Sequence, residues 1–194
     1  MRISLIRHGM TEANERRLYC GFTDLPLSEQ GRMNLAILKN SVSYPSADVY
    51  ISSGLSRATE TMQILYGQEP DAVIEEFMEM NFGEFEMHSY EELKHKLEYQ
   101  NWINDLDNTE GSFNVACPSG ESRSVFQKRV TAGLSKLLGM RVDSVAVISH
   151  GGVIVTVMER LFPGQKNFYE WQPGYGRGYT IDILQEKVVF ISYI

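Results

Sequence analysis

Apolar positions along the chain switch between two periods. Residues 2–6 and 48–52 are short runs rich in β-branched and aliphatic side chains, and they predict strands. Residues 144–148, Ser-Val-Ala-Val-Ile, predict a strand buried on both faces. A third, shorter strand is predicted over 73–78. Elsewhere the spacing is helical. Leu55, Ala58, Met62 and Leu65 share one helix face, as do Phe126, Val130, Leu134 and Leu137 within 122–140. Ser28, preceded by Leu27, predicts the N-cap of a helix running to about residue 40. Residues 89–100 predict a charged helix, 153–162 an apolar one, and 101–118 a polar, turn-rich loop or lid. Residues 179–184 and 187–192 predict a closing hairpin around Gln185-Glu186. Strands alternating with helices, without an internal repeat, predict the α/β class with a mainly parallel central sheet.

The 194 residues suit a single domain, 1–194, with a lid-like insertion around 80–120. No apolar run approaches the ~20 residues needed to span a bilayer. The first residues have too short an apolar stretch for a signal peptide and no small-residue cleavage site. A cytoplasmic protein without membrane association is expected. The net charge of −7 argues against nucleic acid and anionic membrane as partners. It also makes any local cluster of arginine and histidine more informative, because such a cluster must create its own positive field. Cys20 and Cys117 offer neither metal-ligand spacing nor a disulfide framework, and are expected as free thiols.

One group of residues shares a position relative to the predicted sheet. Arg7 and His8 follow the first strand, Arg57 lies just past the second, and His150 follows the strand over 144–148, ahead of Gly151-Gly152 and a helix. Ligands of open parallel sheets bind outside the carboxyl ends of the strands. Four cationic or nearly cationic side chains, distant in sequence, should therefore meet at one rim. Such a rim suits a phosphoryl group: arginine forks match phosphate oxygens, and a helix N-terminus after glycines adds N–H donors. Two histidines there suggest a nucleophile and a partner that stabilises the phosphoryl oxygens. The nucleophile must be neutral, and neighbouring arginines disfavour its protonation. Blander readings exist for each residue. Arg57 could pair with a carboxylate such as Glu60, and His8 alone would pass for a surface histidine. Of the aromatic residues Tyr19, Phe22, Phe85, Trp171, Tyr175 and Tyr179, most are expected in the core and a minority on a pocket wall.

Leu5-Ile6-Arg7-His8-Gly9-Met10-Thr11-Glu12-Ala13-Asn14 resembles the signature of the histidine phosphatase superfamily, which includes the cofactor-dependent phosphoglycerate mutases. The likeness continues, in order, through Gly21-Phe22-Thr23-Asp24-Leu25-Pro26-Leu27, Ser52-Ser53-Gly54-Leu55-Ser56-Arg57-Ala58, the segment Glu79–Glu86, Gly120-Glu121-Ser122 and Ser149-His150-Gly151-Gly152. The resemblance implies helices on both faces of the sheet, as in phosphoglycerate mutases. It implies His8 as the residue that becomes phosphohistidine, with Arg7, Arg57 and His150 holding the phosphoryl oxygens and Gly151 beside them. Asn14 and Thr23 stand where the family adds phosphate or substrate contacts. Glu79 stands where the family has the proton donor to the leaving oxygen, although Glu75, Glu76, Glu84 and Glu86 crowd the same stretch. The chain departs from the family pattern at Gly54 (usually proline), Glu60 (usually glutamine) and Met87 (usually glycine).

The expected activity is hydrolysis of a phosphomonoester, a small phosphorylated metabolite, with no metal or other cofactor. Cationic side chains would supply the charge that Mg²⁺ supplies elsewhere. The length resembles the shorter branch that includes alpha-ribazole phosphatase and broad-specificity enzymes. A phosphoglycerate mutase is the alternative, and an inactive phosphate-binding regulator a remote one. The terminal hairpin offers an edge through which two copies could pair as a homodimer.

Overall fold

The computed structural model describes residues 1–107, 113–185 and 187–194, without the side chain of Asp107. Strand β1 (Arg2–Arg7) leads to the one-turn helix α1 (Glu12–Glu15), then α2 (Glu29–Ser41), β2 (Val49–Ser52), α3 (Ser56–Tyr66) and the two-residue β3 (Ala72–Val73). Two 3-10 turns, Glu75–Phe77 and Gly83–Phe85, precede α4 (Tyr90–Leu93), α5 (Leu97–Asp107) and α6 (Arg123–Leu138). Then come β4 (Ser144–Ser149), α7 (Gly151–Leu161), α8 (Phe168–Trp171) and the hairpin of β5 (Gly178–Leu184) and β6 (Lys187–Tyr193).

The sheet runs β3-β2-β4-β1-β5-β6. The first four strands are parallel, β5 is antiparallel to β1, and β6 is antiparallel to β5. Alternation along the central strands divides the core. Ile3 and Leu5 of β1 and Val145 and Val147 of β4 pack with Val130, Leu134 and Leu137 of α6 and Val153 and Ile154 of α7. Ile6 and Ile148 join the other cluster, with Leu35 of α2 and Ala58, Met62 and Leu65 of α3. Each such aliphatic side chain contributes roughly 1.5–3 kcal/mol when fully buried, so both layers are firmly seated. After β1 the chain reaches α2 on one face; after β4 it enters α7 on the other. The crevice between the carboxyl ends of these two neighbouring strands is where such a fold holds a ligand.

Ser28 caps α2 as expected, its hydroxyl accepting from the Gly31 N–H at 3.0 Å. Three expectations are corrected. Residues 101–107 continue α5 rather than forming a loop, because Tyr99, Trp102, Ile103 and Leu106 make an apolar stripe that buries Tyr99 and Trp102. The loop expectation for 108–112 lies outside the described residues. The single helix expected over 89–100 is two, since Ser89 caps the one-turn α4 and α5 starts only at Leu97. The strand expected over 73–78 ends at Val73; Ile74 and Phe77, three apart and both buried, instead bracket a 3-10 turn. Cys20 and Cys117 are free. β6 forms an outer edge of the sheet and exposes Val189, Phe190 and Tyr193. Among the described residues no helix is long and apolar enough to cross a membrane.

Candidate active site

Strand register brings the histidines together. Arg7 of β1 pairs with Ser149 of β4, so the next residues, His8 and His150, leave the sheet side by side. The His8 N–H donates to the Ser149 carbonyl at 2.9 Å, and the two imidazole centroids lie 4.9 Å apart. β2 is level with them: Ser52 pairs with Ile148, and the following Ser53 places its Oγ 2.8 Å from His150 Nε2. His8 is 5% exposed, His150 0% and Arg57 1%.

The two rings are oriented differently. His8 Nδ1 lies 2.5 Å from the Gly9 carbonyl. A carbonyl only accepts, so Nδ1 carries the proton and Nε2 keeps its lone pair. Ser53 Oγ also accepts weakly from the Leu55 N–H at 3.5 Å, and its second lone pair or its hydrogen serves His150 Nε2. His150 Nδ1 is a buried atom without a protein partner among the described residues. With its proton on this nitrogen, the ring offers a buried donor that an anion oxygen satisfies. Burial, then the charges of Arg57 and Arg7, hold His8 well below the ordinary imidazole range. Burial, Arg57, His8 and Arg7 do the same to His150. These surroundings disfavour a proton on the free nitrogen of His8.

The arginines are held by carbonyls. Arg57 Nη1 and Nη2 donate to the Thr23 and Gly21 carbonyls at 3.0 and 2.6 Å. Arg7 Nη1 donates to the Pro173 carbonyl at 2.9 Å, and its guanidinium lies over the Tyr175 ring at 3.9 Å. Among the described residues neither makes an ion pair with a carboxylate. Glu60, the alternative partner for Arg57, pairs with Arg32 instead, at 2.9 Å. Two buried or half-buried guanidiniums beside two neutral imidazoles leave positive charge that an anion must balance.

Glu79 lies on the other side of the α7 N-terminus. Its Oε2 accepts from the Gly152 N–H and its Oε1 from the Met80 N–H, both at 3.0 Å. Both glycines let side chains approach closely: a Cβ on Gly152 would lie 2.5 Å from Glu79 Oε1, and one on Gly151 would lie 2.4 Å from Gln172 Nε2 and 3.3 Å from Arg7 Cζ, so those side chains would have to move. The crowding of carboxylates is resolved by their partners. Glu86 accepts from the Gly21, Phe22, Thr23 and Phe82 N–H groups, Glu76 is bonded to Lys136, and Glu84 accepts from Ser119 Oγ. Glu75 is exposed.

Thr23 takes part through its backbone, its carbonyl to Arg57 and its N–H to Glu86. The Asn14 Oδ1 accepts from the Thr11 N–H at 3.0 Å, closing a capping box at α1, the helix that follows His8. Of the aromatic residues, Phe85, Trp171 and Tyr179 are core, Tyr175 covers Arg7, and Tyr19 lines a cavity of about 360 Å³. Glu79 and Gly152 stand at this cavity, with walls that include Phe82, Trp102, Phe126 and Tyr169. Sequence reasoning missed the roles of Ser53, which lies inside a quoted motif, and of Arg129 and Gln172, which lie outside all of them.

The sequence pattern of the histidine phosphatase superfamily (branch 1) matches residues 3–190. The chain belongs to this superfamily. It is 33% identical to an adenosylcobalamin/alpha-ribazole phosphatase of Salmonella typhimurium, over 83% of this chain and 79% of that protein. It superposes on the alpha-ribazole phosphatase of Shigella flexneri with a TM-score of 0.84 at 29% identity, covering 97% of this chain and 93% of the other. A phosphoglycerate mutase of Thermus thermophilus aligns at a TM-score of 0.71 and 29% identity, covering 98% of both chains. The superfamily and the phosphatase relatives make the chain a phosphatase of small phosphorylated metabolites. Two of its departures from the family pattern have structural consequences. Gly54 has φ +92° and donates its N–H to Ser52 Oγ, neither of which proline can do. Met87 keeps φ +60°, a glycine-like conformation on a side chain that disfavours it.

Proposed function

We propose that hydrolysis runs through a phosphohistidine at Nε2 of His8. The observation that carries this reading is the neutral imidazole of His8, anchored through Nδ1 on the Gly9 carbonyl, beside two guanidiniums that lack carboxylate partners among the described residues. In the first step the Nε2 lone pair attacks phosphorus, the ester P–O bond breaks, and Glu79 gives its proton to the departing alkoxide oxygen. In the second, Glu79 takes a proton from water as the water oxygen attacks phosphorus and the P–N bond breaks. Arg7, Arg57, His150 and the Gly151 backbone balance charge on the phosphoryl oxygens through both steps. Thr23 supports Arg57 through its carbonyl. Asn14 retains its place in this reading through the turn that it caps next to His8.

The leaving alcohol would occupy the cavity beside Glu79. Its volume is that of a small-molecule site, and its walls are mostly aromatic and aliphatic side chains taken together. Arg123, the cation on that wall, is paired with Glu159 at 3.3 Å, which leaves little to attract a second anionic group. A planar, apolar alcohol suits this cavity better than a phosphoglycerate carboxylate. The relatives named alpha-ribazole phosphatase support the same direction. The described residues of the 80–120 insertion supply Phe82, Trp102 and Leu106 to the wall and so cover the leaving group.

The test is a comparison of kcat/KM for alpha-ribazole 5′-phosphate and 3-phosphoglycerate, with quenched labelling. The expected result favours the former by roughly 10²-fold or more, and gives an acid-labile, base-stable phosphoenzyme that His8→Ala abolishes. Acid-stable label, or label persisting in His8→Ala, overturns the nucleophile. Phosphoryl return to phosphoglycerate in preference to water overturns hydrolysis in favour of the mutase.

A further inference from the structure

Arg129, on the second turn of α6, divides its N–H groups between the Glu121 carboxylate and the segment that carries Glu79. Nε and Nη2 donate to the two oxygens of Glu121 at 2.8 and 2.7 Å. Nη1 donates to the carbonyls of Glu76 and Met78 at 3.0 and 2.9 Å, and Nη2 donates to the carbonyl of Glu79 itself at 3.0 Å. A guanidinium has five N–H donors, and these five bonds use them all. Glu121 completes the arrangement from the other side. Its Oε2 accepts from the Asn81 N–H at 2.9 Å, and its own N–H donates to the Asn81 carbonyl at 2.8 Å. The peptide units before and after Glu79 are thus tied to one bidentate ion pair, which is largely withdrawn from solvent.

This segment needs such a device. Between the 3-10 turns Glu75–Phe77 and Gly83–Phe85 it belongs to no helix or strand. The Glu79 carboxylate nevertheless sits against the Gly152 N–H, where a single added methyl would collide with it. We infer that Arg129 and Glu121 are positioning residues, which fix the backbone on both sides of Glu79 and so keep its carboxylate over the first turn of α7. The inference rests on the reading of Glu79 as the proton donor and extends it to two residues that touch neither substrate nor reacting atoms. Lysine at 129 would keep the charge but could not span three carbonyls and a carboxylate.

The experiment compares two aromatic esters that differ in leaving group: p-nitrophenyl phosphate, whose phenolate departs without a proton, and 2-phenylethyl phosphate, whose alkoxide requires one. The readout is kcat/KM, which reports the phosphorylation step. Arg129→Lys should lower kcat/KM for the alkyl ester by about 10–100-fold and for the nitrophenyl ester by less than about 3-fold, the scale of a misplaced catalytic group. In a Glu79→Gln background the same substitution should have almost no further effect. Glu121→Gln should show the same selective loss in weaker form, and it provides the reading if Arg129→Lys does not fold. Equal losses for both esters, or an undiminished loss in the Glu79→Gln background, overturn the positioning role. A leaving-group-dependent loss in Glu79→Gln with none in Arg129→Lys or Glu121→Gln overturns it while sparing the acid. No leaving-group dependence in Glu79→Gln overturns the acid and the inference together.

Discussion

The phosphoryl rim and the arm bearing Glu79 face each other across the first turn of α7, but they are built by different means. His8, His150 and Ser53 are the residues that directly follow three adjacent parallel strands, and their spacing comes from sheet register. Arg57 adds a helix-borne guanidinium that points at carbonyls of the Gly21–Thr23 loop. The arm, from Glu76 to Met87, has only two short 3-10 turns. It is held by side chains from elsewhere, Arg129 and Glu121 around Glu79, and by its own Glu86, which binds the loop over Arg57. A strand end needs no further support because the ladder and the buried core already determine it. An irregular arm must be fixed bond by bond, so its precision depends on residues distant from the reaction.

The largest expected effect separates the two regions by their chemistry. Arg57→Lys removes the planar fork from the rim, and kcat/KM should fall by about 10²–10³-fold. The loss should be alike for p-nitrophenyl and alkyl esters, because phosphoryl oxygens are common to both, in contrast with substitutions that act through Glu79. A loss confined to the alkyl ester would place Arg57 with the arm. Vanadate or inorganic phosphate binding, measured calorimetrically, should weaken in parallel.

A second expectation concerns pH. Both rim histidines stay neutral in the native state through burial and the arginine charges, whereas in the unfolded chain they take up protons below about pH 6.5. The unfolded state then binds more protons, so stability is full above that value and falls as the pH drops below it. In phosphate-free buffer the slope should be roughly 1 kcal/mol per histidine for each pH unit, and His8→Asn should remove about half of it. The arm responds in a lower window. Its hydrogen bond from Lys136 holds the Glu76 carboxyl below the usual range, so that contribution is present at neutral pH and is lost only as the pH falls through the carboxylate region. Urea unfolding from about pH 7.5 to about pH 5 tests the histidine part; an unchanged slope in His8→Asn would contradict it.

The smallest effect lies on the arm. Met87 carries a left-handed conformation that costs a side-chain-bearing residue about 1–2 kcal/mol. Met87→Gly relieves this, while glycine's greater unfolded-state freedom offsets up to about 1 kcal/mol. A net gain of about 0.5 kcal/mol in thermal unfolding is expected, with the residue 87 N–H still donating to the Tyr19 carbonyl, now at 2.7 Å. A destabilised variant would mean that the Met87 side chain contributes packing worth more than its strain.

The same contrast governs what can be read along the chain. Strand ends are visible as apolar runs that stop, and residues placed just after them, Arg7, His8 and His150, are assigned to one rim without knowledge of the fold. Gly151-Gly152 is visible too, although the reason for Gly152 is the Glu79 carboxylate against it. Glu79 is not separable by sequence from Glu75, Glu76, Glu84 and Glu86, because five carboxylates in one stretch differ only in their partners, and those partners come from Gly21–Thr23, Ser119, Lys136 and Gly152. The motif assigns Asn14 to the site, and the helix cap made by its side-chain oxygen is visible only in the fold. Residues 101–107 read as a loop because polar positions outnumber apolar ones, whereas burial of Tyr99 and Trp102 decides the helix.

By itself the sequence determined the α/β class, the hairpin, the order of the main strands and helices, and the two arginines and two histidines at the rim. All of these follow from periodicity and from which residues succeed a buried strand, and both are local properties. Only the tertiary structure decided which carboxylate faces the rim, which ring nitrogen of His8 carries its proton, and how Arg129 and Glu121 hold an arm that has no regular structure. Those are properties of contacts between segments tens of residues apart, and hydrogen-bond partners across such distances leave no period in the chain.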